Sequence, residues 1–211
     1  MDAINAKIRS MKARLLKIEQ YRSLVESNSA QPHSTRQIEP MTEELKRVSR
    51  FLADVHLRKL LALVGAKDLL GCWSLIKTMP RGQNRHVCTF IKGTEIDLYN
   101  IQCINRLKHY YPEADIYPHL VPVCYRLTKD AIKQIIETKA AASAAGDFTY
   151  DNNIQIMKKT YRTAIKNYPR SIGGILEYFY LKELEEQNLV TIMEGIKYKL
   201  PPEEIIGHLK L

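Results

Sequence analysis

The stretch EIDLYNIQCI, from Glu95 to Ile104, has a counterpart in ELEEQNLVTI, from Glu183 to Ile192. Each reads Glu, then Asn five residues on, then Ile or Leu, then Ile. A shift of 88 residues sets Glu95 on Glu183, Ile96 on Leu184, Asn100 on Asn188, Ile101 on Leu189, Ile104 on Ile192 and Tyr110 on Tyr198. After one inserted residue, IYPHL (116–120) falls on IIGHL (205–209). Each copy therefore reads as a long helix, a break containing proline, and a short helix ending in His-Leu. Self-similarity at a fixed period is the mark of a repeated supersecondary unit.

The spacing decides what the phrase can do. Five residues turn a helix by about 500°, so Glu and Asn point about 140° apart. They are not a converging acid and amide, and catalysis needs groups that converge on one point. The expectation is structural: Asn bonds a neighbouring backbone and fixes register, while Glu faces solvent or a basic helix. Glu95, Asn100, Ile104, Glu183, Asn188 and Ile192 form the repeat signature.

Outside the two copies, helical periodicity continues. Ile4, Ile8, Met11, Leu15 and Ile18 recur every three or four residues between Lys and Arg, which predicts one basic amphipathic helix to about Leu24. A second helix is expected from Thr42, with Leu45, Val48, Leu52 and Val55 on one face. Shorter helices should follow over 66–77, 88–110, 128–142 and 151–167, and the longest over 172–199. Pro202, followed by Glu203 and Glu204, suits the first turn of a closing helix. Only VPVCYRL (121–127) resembles a strand, so the fold class should be all-α. The organisation expected is an N-terminal amphipathic helix (1–27), a polar linker (28–40), first helical units (41–146) and a C-terminal helical unit (147–211).

Composition sets the wider bounds. The 211 residues carry a net charge of +9, which points to an acidic partner: a protein surface, anionic lipid or nucleic acid. Lys7, Arg14 and Lys17, on the basic side of the first helix, are candidate partner contacts. No dense basic block with interleaved aromatics is present, which argues against nucleic acid. No apolar run reaches the ~20 residues needed to span a bilayer. Cys72, Cys88, Cys103 and Cys124 form no CxxC pair and have apolar neighbours, so buried free thiols in the cytoplasm are expected. The carboxylate pairs Glu43-Glu44, Glu185-Glu186 and Glu203-Glu204 read as helix starts or polar faces. No phosphate loop, metal-ligand spacing or nucleophile elbow occurs. No cofactor, metal, catalytic group or small-molecule substrate is therefore expected.

The segment GGILEYFYLKELEEQNLVTIMEGIKYKLPPEEI, Gly173 to Ile205, resembles the end of the C subunits of V-type (archaeal/vacuolar-type) ATPases, the counterparts of the vacuolar d subunits. The matching positions are Glu185 or Glu186, Asn188, Leu189, Ile192, Gly195, Lys197 and Leu200 to Ile205. EIDLYNIQCINRLKHYY and YPHLVPVCYRLTKDAIKQIIE resemble the family's middle unit, and INAKIRSMKARLL resembles its first helix. The chain is a shortened match, with a unit reduced or missing near 28–65. The resemblance implies helical units arranged as a funnel on the cytoplasmic face of the membrane. It implies a non-catalytic connector whose partners are the central shaft and the proteolipid ring, in ATP-driven ion transport or ATP synthesis. A reduced paralogue acting in assembly, or a basic nucleic-acid-binding helical protein, is the alternative.

Overall fold

The computed structural model describes residues 2–27, 41–137 and 150–210. Every regular element among them is helical, so the all-α expectation holds. The expected C-terminal end of the helix after Thr128 and the break at Gly146 lie outside the described residues. The chain divides into two compact units. One combines Met1–Phe51 with Gly174–Leu211; the other is Leu52–Gly173.

The contiguous unit is built on α6 (Gln83–Tyr110), the longest helix described. It exceeds α9 (Gly173–Lys197), which the sequence ranks first. Before it come α4 (Val55–Gly65) and α5 (Leu69–Thr78); after it come a 3-10 turn (Tyr117–His119), α7 (Lys129–Glu137) and α8 (Tyr150–Asn167). Asp54 starts α4 by accepting from the backbone N–H groups of His56 and Leu57, and Asp68 starts α5 by accepting from that of Gly71. Two orphan donors of a helix start are satisfied in the first case and one in the second. Leu57, Leu60, Leu61, Cys72, Ile76, Cys88, Ile91 and Ile96 are buried, and they place the core along α6. Residues 121–127 form no strand. The N–H groups of Val121, Tyr125, Arg126 and Leu127 go to side chains instead, as described below.

The discontinuous unit is built on α9, whose residues from Gly174 onward belong to it. It also holds α1 (Asp2–Lys12), α2 (Ile18–Glu26), α3 (Met41–Ser49) and α10 (Pro202–Gly207). Lys12 pairs with Glu177. The Tyr178 hydroxyl donates to Glu44, which is buried. Burial, followed by that bond to the Glu44 carboxylate, pushes the Tyr178 phenol well above its ordinary pKa.

Two expected helices are broken. The basic helix expected to reach Leu24 stops at Lys12 and resumes at Ile18. The apolar periodicity runs across the gap, but the backbone N–H of Leu16 bonds the Glu185 carboxylate at 2.8 Å, and that of Lys17 bonds Gln20 Oε1 at 2.9 Å. These partners outcompete helix continuation. The helix expected to carry Leu52 and Val55 ends at Ser49. Asp54 caps the next helix, Leu52 is buried, and Val55 is exposed at its first position.

Candidate functional site

The repeated phrase folds into a clamp, made twice. Asn100 is fully buried on α6. Its Nδ2 donates to the Val121 carbonyl at 3.0 Å, and its Oδ1 accepts from the Val121 N–H at 2.9 Å. Asn188, on α9 and 2% exposed, does the same to Lys210, at 3.2 and 2.7 Å. In each copy the clamped residue is the one directly after His-Leu. A carboxamide carries a donor and an acceptor on one planar group, so it can mimic a strand partner for a single residue. Asn thus satisfies both backbone groups of the clamped residue at once.

Three residues before each Asn stands a carboxylate, Asp97 or Glu185, buried in both copies. Asp97 accepts from the N–H groups of Tyr125, Arg126 and Leu127, at 3.2, 2.8 and 3.1 Å. Glu185 accepts from Leu16 N–H at 2.8 Å and from Lys182 Nζ at 2.6 Å. The caught backbone leads two residues later into a helix in both copies: α7 after Leu127, and α2 after Leu16. α2 is nine residues long, and nine residues of α7 are described.

Their side chains complete matching cores. In the contiguous unit, Ile104, Ile116 and Ile132 cluster with Leu107, Leu120, Leu127, Ile135 and Ile136. In the other unit, Tyr21, Val25, Ile192, Ile205 and Leu209 cluster with Leu16, Leu189, Ile196 and Ile206. Ile104 corresponds to Ile192, Ile116 to Ile205, Leu120 to Leu209, Leu127 to Leu16, Ile132 to Tyr21 and Ile136 to Val25. The repeated unit therefore has three parts: long helix, broken return and a covering helix. One copy takes its cover from the chain that follows. The other takes it from a segment far upstream.

The glycines mark where the copies differ. A Cβ on Gly195 would lie 2.6 Å from the Ile205 side chain, so α10 crosses α9 at close range. The equivalent residue in the first copy is Leu107, which packs into the Ile104 cluster instead. A Cβ on Gly93 would lie 2.4 Å from the Tyr125 ring, which follows the break.

Of the remaining signature residues, Ile104 and Ile192 are core. Glu95, partly exposed, accepts from Lys92 Nζ at 2.6 Å on its own helix. Glu183 accepts from Gln187 at 3.3 Å. The two Glu are not part of the clamp. The carboxylates that are, Asp97 and Glu185, escape a reading of the sequence because they sit between the matched positions and differ in length. Glu43 and Glu44 stand in the first turn of α3, as expected of a helix start, whereas Glu185 and Glu186 lie in the middle of α9 and take backbone partners. Glu44 and Glu185 are buried, and Glu186 holds the N–H of Met41 at 3.0 Å.

Lys7 lies on α1, but Arg14 falls in the break after it and Lys17 immediately precedes α2; all three are exposed. Cys72 and Cys88 are buried, and burial pushes their thiols up to about 11 and about 12. Cys124 is exposed and Cys103 partly so, contrary to the expectation of four buried thiols. Among the described residues, no group of His, Cys, Asp and Glu is placed to hold a metal ion. None of the described helices is long and apolar enough to cross a membrane.

The ATP synthase (C/AC39) subunit family matches residues 72–207, more than half of the chain, including Asn100 with its partner Val121, and Asn188. A curated relative, the C subunit of the A-type ATP synthase of Archaeoglobus fulgidus, is 31% identical over 134 residues. That match covers 55% of this chain and 39% of the relative, so the chain spans about two fifths of that protein. No solved structure matches the chain. The chain belongs to the ATP synthase (C/AC39) subunit family, a non-catalytic structural component of rotary ATPases.

Proposed function

We propose that the protein is a stalk component that joins the central shaft of a V-type ATPase to its membrane proteolipid ring, on the cytoplasmic face, during ion transport or ATP synthesis. The observation that carries this reading is the family match, which takes in Asp97, Asn100, Glu185 and Asn188 of the doubled clamp. Such a role transmits force without chemistry, and it needs units whose breaks and covering helices are pinned by buried polar bonds. Asn100, Asp97, Asn188 and Glu185 pin them, and buried, fully bonded polar groups resist rearrangement. The net charge of +9 suits acidic shaft surfaces and anionic head groups near a ring. Co-purification with the isolated shaft proteins and the proteolipid ring tests the proposal. Binding to both is expected; folded protein that binds neither overturns it.

A second reading is a helical module that engages one ATPase component during assembly. Finding the chain in stoichiometric amount in purified, turning ATPase would exclude that second role.

A further inference from the structure

In the contiguous unit, rings and cations meet where α5 and α6 carry the segment caught by Asp97. The Trp73 and Tyr125 rings pack edge to face, with centroids 6.1 Å apart. The Arg126 guanidinium lies over two rings, its Cζ 5.4 Å from the Phe90 centroid and 5.6 Å from that of Tyr125. Lys77 Nζ stands 5.9 Å from the Trp73 centroid. Both cations are exposed, and the three rings are half-buried. The clamp sets this arrangement. Phe90, Gly93 and Asp97 follow at spacings of three and four on one face of α6. Asp97 holds the backbone of Tyr125 and Arg126, and Gly93 leaves room for the Tyr125 ring.

A guanidinium laid on rings is restrained, yet its N–H edges stay available, and those edges fit a carboxylate two bonds at a time. Among the described residues, the Arg126 side chain makes no hydrogen bond or ion pair. The carboxylates of the supporting helices are engaged elsewhere. Asp68, the cap of α5, takes Gly71 N–H, and α5 itself has no acid. On α6, Glu95 takes Lys92, and Asp97 takes its three N–H groups. Asp130, in the first turn of α7, forms no ion pair with Arg126.

The second copy shows what covers this position. The shift of 88 residues sets Phe90 on Tyr178. Tyr178 is buried against α3: its hydroxyl donates to Glu44, and Arg47 Nη2 lies 3.3 Å from the same carboxylate. Ring, carboxylate and guanidinium are all present there. The first copy has the ring and the guanidinium but lacks the carboxylate and the helix that bears it.

We propose that the face formed by Trp73, Phe90, Tyr125 and Arg126 docks an acidic amphipathic helix of another protein. One carboxylate of that helix pairs with Arg126, and its apolar side chains pack on the three rings, residue types that dominate binding energy at interfaces. The face is separate from the shaft and ring contacts of the rotary role, so failure to bind either of those leaves this docking intact.

Trp73 is the single tryptophan, so its emission reads the face directly. The whole chain is titrated with a tryptophan-free synthetic helix of about five turns, with Leu at i, i+3, i+4 and i+7 and Glu beside them. One twin carries Gln in place of Glu, and another carries Lys. The Glu peptide should shift the Trp73 emission saturably, and added salt should weaken it. The Gln twin, a comparison that needs no variant, should bind roughly tenfold more weakly. Arg126→Ala should cost the Glu peptide roughly tenfold as well. Arg126→Glu should reject the Glu peptide and accept the Lys twin. Both variants should keep the wild-type far-UV signal, because Asp97 holds the backbone N–H of residue 126 and not its side chain. No response to the Glu peptide, equal affinity for the Glu and Gln peptides, or indifference to both Arg126 variants would overturn the proposal. So would an Arg126-dependent response to a single-stranded thymidine oligonucleotide and not to the peptide.

Discussion

The two copies of the clamp use the same amide but different carboxylates. In the first, Asp97 is short and holds three consecutive N–H groups that run directly into α7. In the second, Glu185 is one methylene longer, holds one N–H from a distant segment, and divides its charge with buried Lys182. The difference follows from where the covering helix comes from. A contiguous cover needs only its entry turned, and a compact cap does that. A cover from elsewhere must be captured and held, and an ion pair fixes the longer carboxylate for the task. The lesson is that a repeat can preserve its three-part packing while changing the order of its parts along the chain.

The comparison can be broken most strongly at Glu185. Glu185→Ala leaves Lys182 buried without its carboxylate and Leu16 N–H without its acceptor, so a loss of about 3–5 kcal/mol is expected in urea unfolding. Asp97→Ala removes one acceptor from three N–H groups with no stranded charge, and should cost about 2–3 kcal/mol. The probes separate the copies, because the single tryptophan, Trp73, lies in the contiguous unit against Tyr125. Asp97→Ala should shift the Trp73 fluorescence transition. Glu185→Ala should lower the far-UV helix signal first. Identical shifts of both probes by both variants would show one cooperative block and defeat the distinction.

Replacing the amides sharpens the likeness instead. Asn100→Ala and Asn188→Ala each leave a backbone N–H and C=O without partners, and each should cost about 1–3 kcal/mol. Agreement within about 0.5 kcal/mol would mark the two clamps as energetically equivalent.

Alkaline pH should separate the units again. The Tyr178 phenol is raised in the folded state by burial and by Glu44, so it stays protonated where the unfolded chain has begun to ionise. Its stabilisation is complete below the unfolded value of about 10 and declines as pH rises above it. A stability profile from about pH 8 to about pH 11 should fall at its upper end in the discontinuous unit, and Tyr178→Phe should flatten that fall. The smallest effect expected is a gain. Lys199 closes α9 at a φ of 58°, where Leu200 N–H bonds the Gly195 carbonyl. Lys199→Gly relieves a left-handed conformation that costs a side-chain-bearing residue, and should add about 0.5–1 kcal/mol to thermal stability.

Much of this fold is legible because helices declare themselves through periodicity, caps and prolines. Thr128, expected as a cap, does accept from Ala131 N–H at 3.1 Å, and α6 ends before Pro112. The repeat can be read at one spacing because α6 and α9 carry matched residues. The covering helix is harder to see. LLKIEQYRSLVE (15–26) and RLTKDAIKQIIE (126–137) share Leu16 with Leu127, Glu19 with Asp130, Arg22 with Lys133 and Glu26 with Glu137. That likeness lies upstream rather than 88 residues downstream, so one fixed shift cannot reveal it. The breaks at 13–17 and 50–54 are hidden for another reason. Local propensity favours continuing the helix, while the partner that stops the first of them, Glu185, is 169 residues away.

The upstream origin of the second cover also orders events on the ribosome. Asp97 finds its partners within 30 residues, so the first copy can close while the chain is still being made. Tyr21 and Val25 end buried in a cluster with Ile192, yet the helix that carries Ile192 begins only at Gly173. At about 5–20 residues per second, that leaves their apolar faces uncovered for on the order of ten seconds. For that interval the N-terminal helices are a natural target for a nascent-chain chaperone, and the native partner that later displaces it is the far end of the same polypeptide.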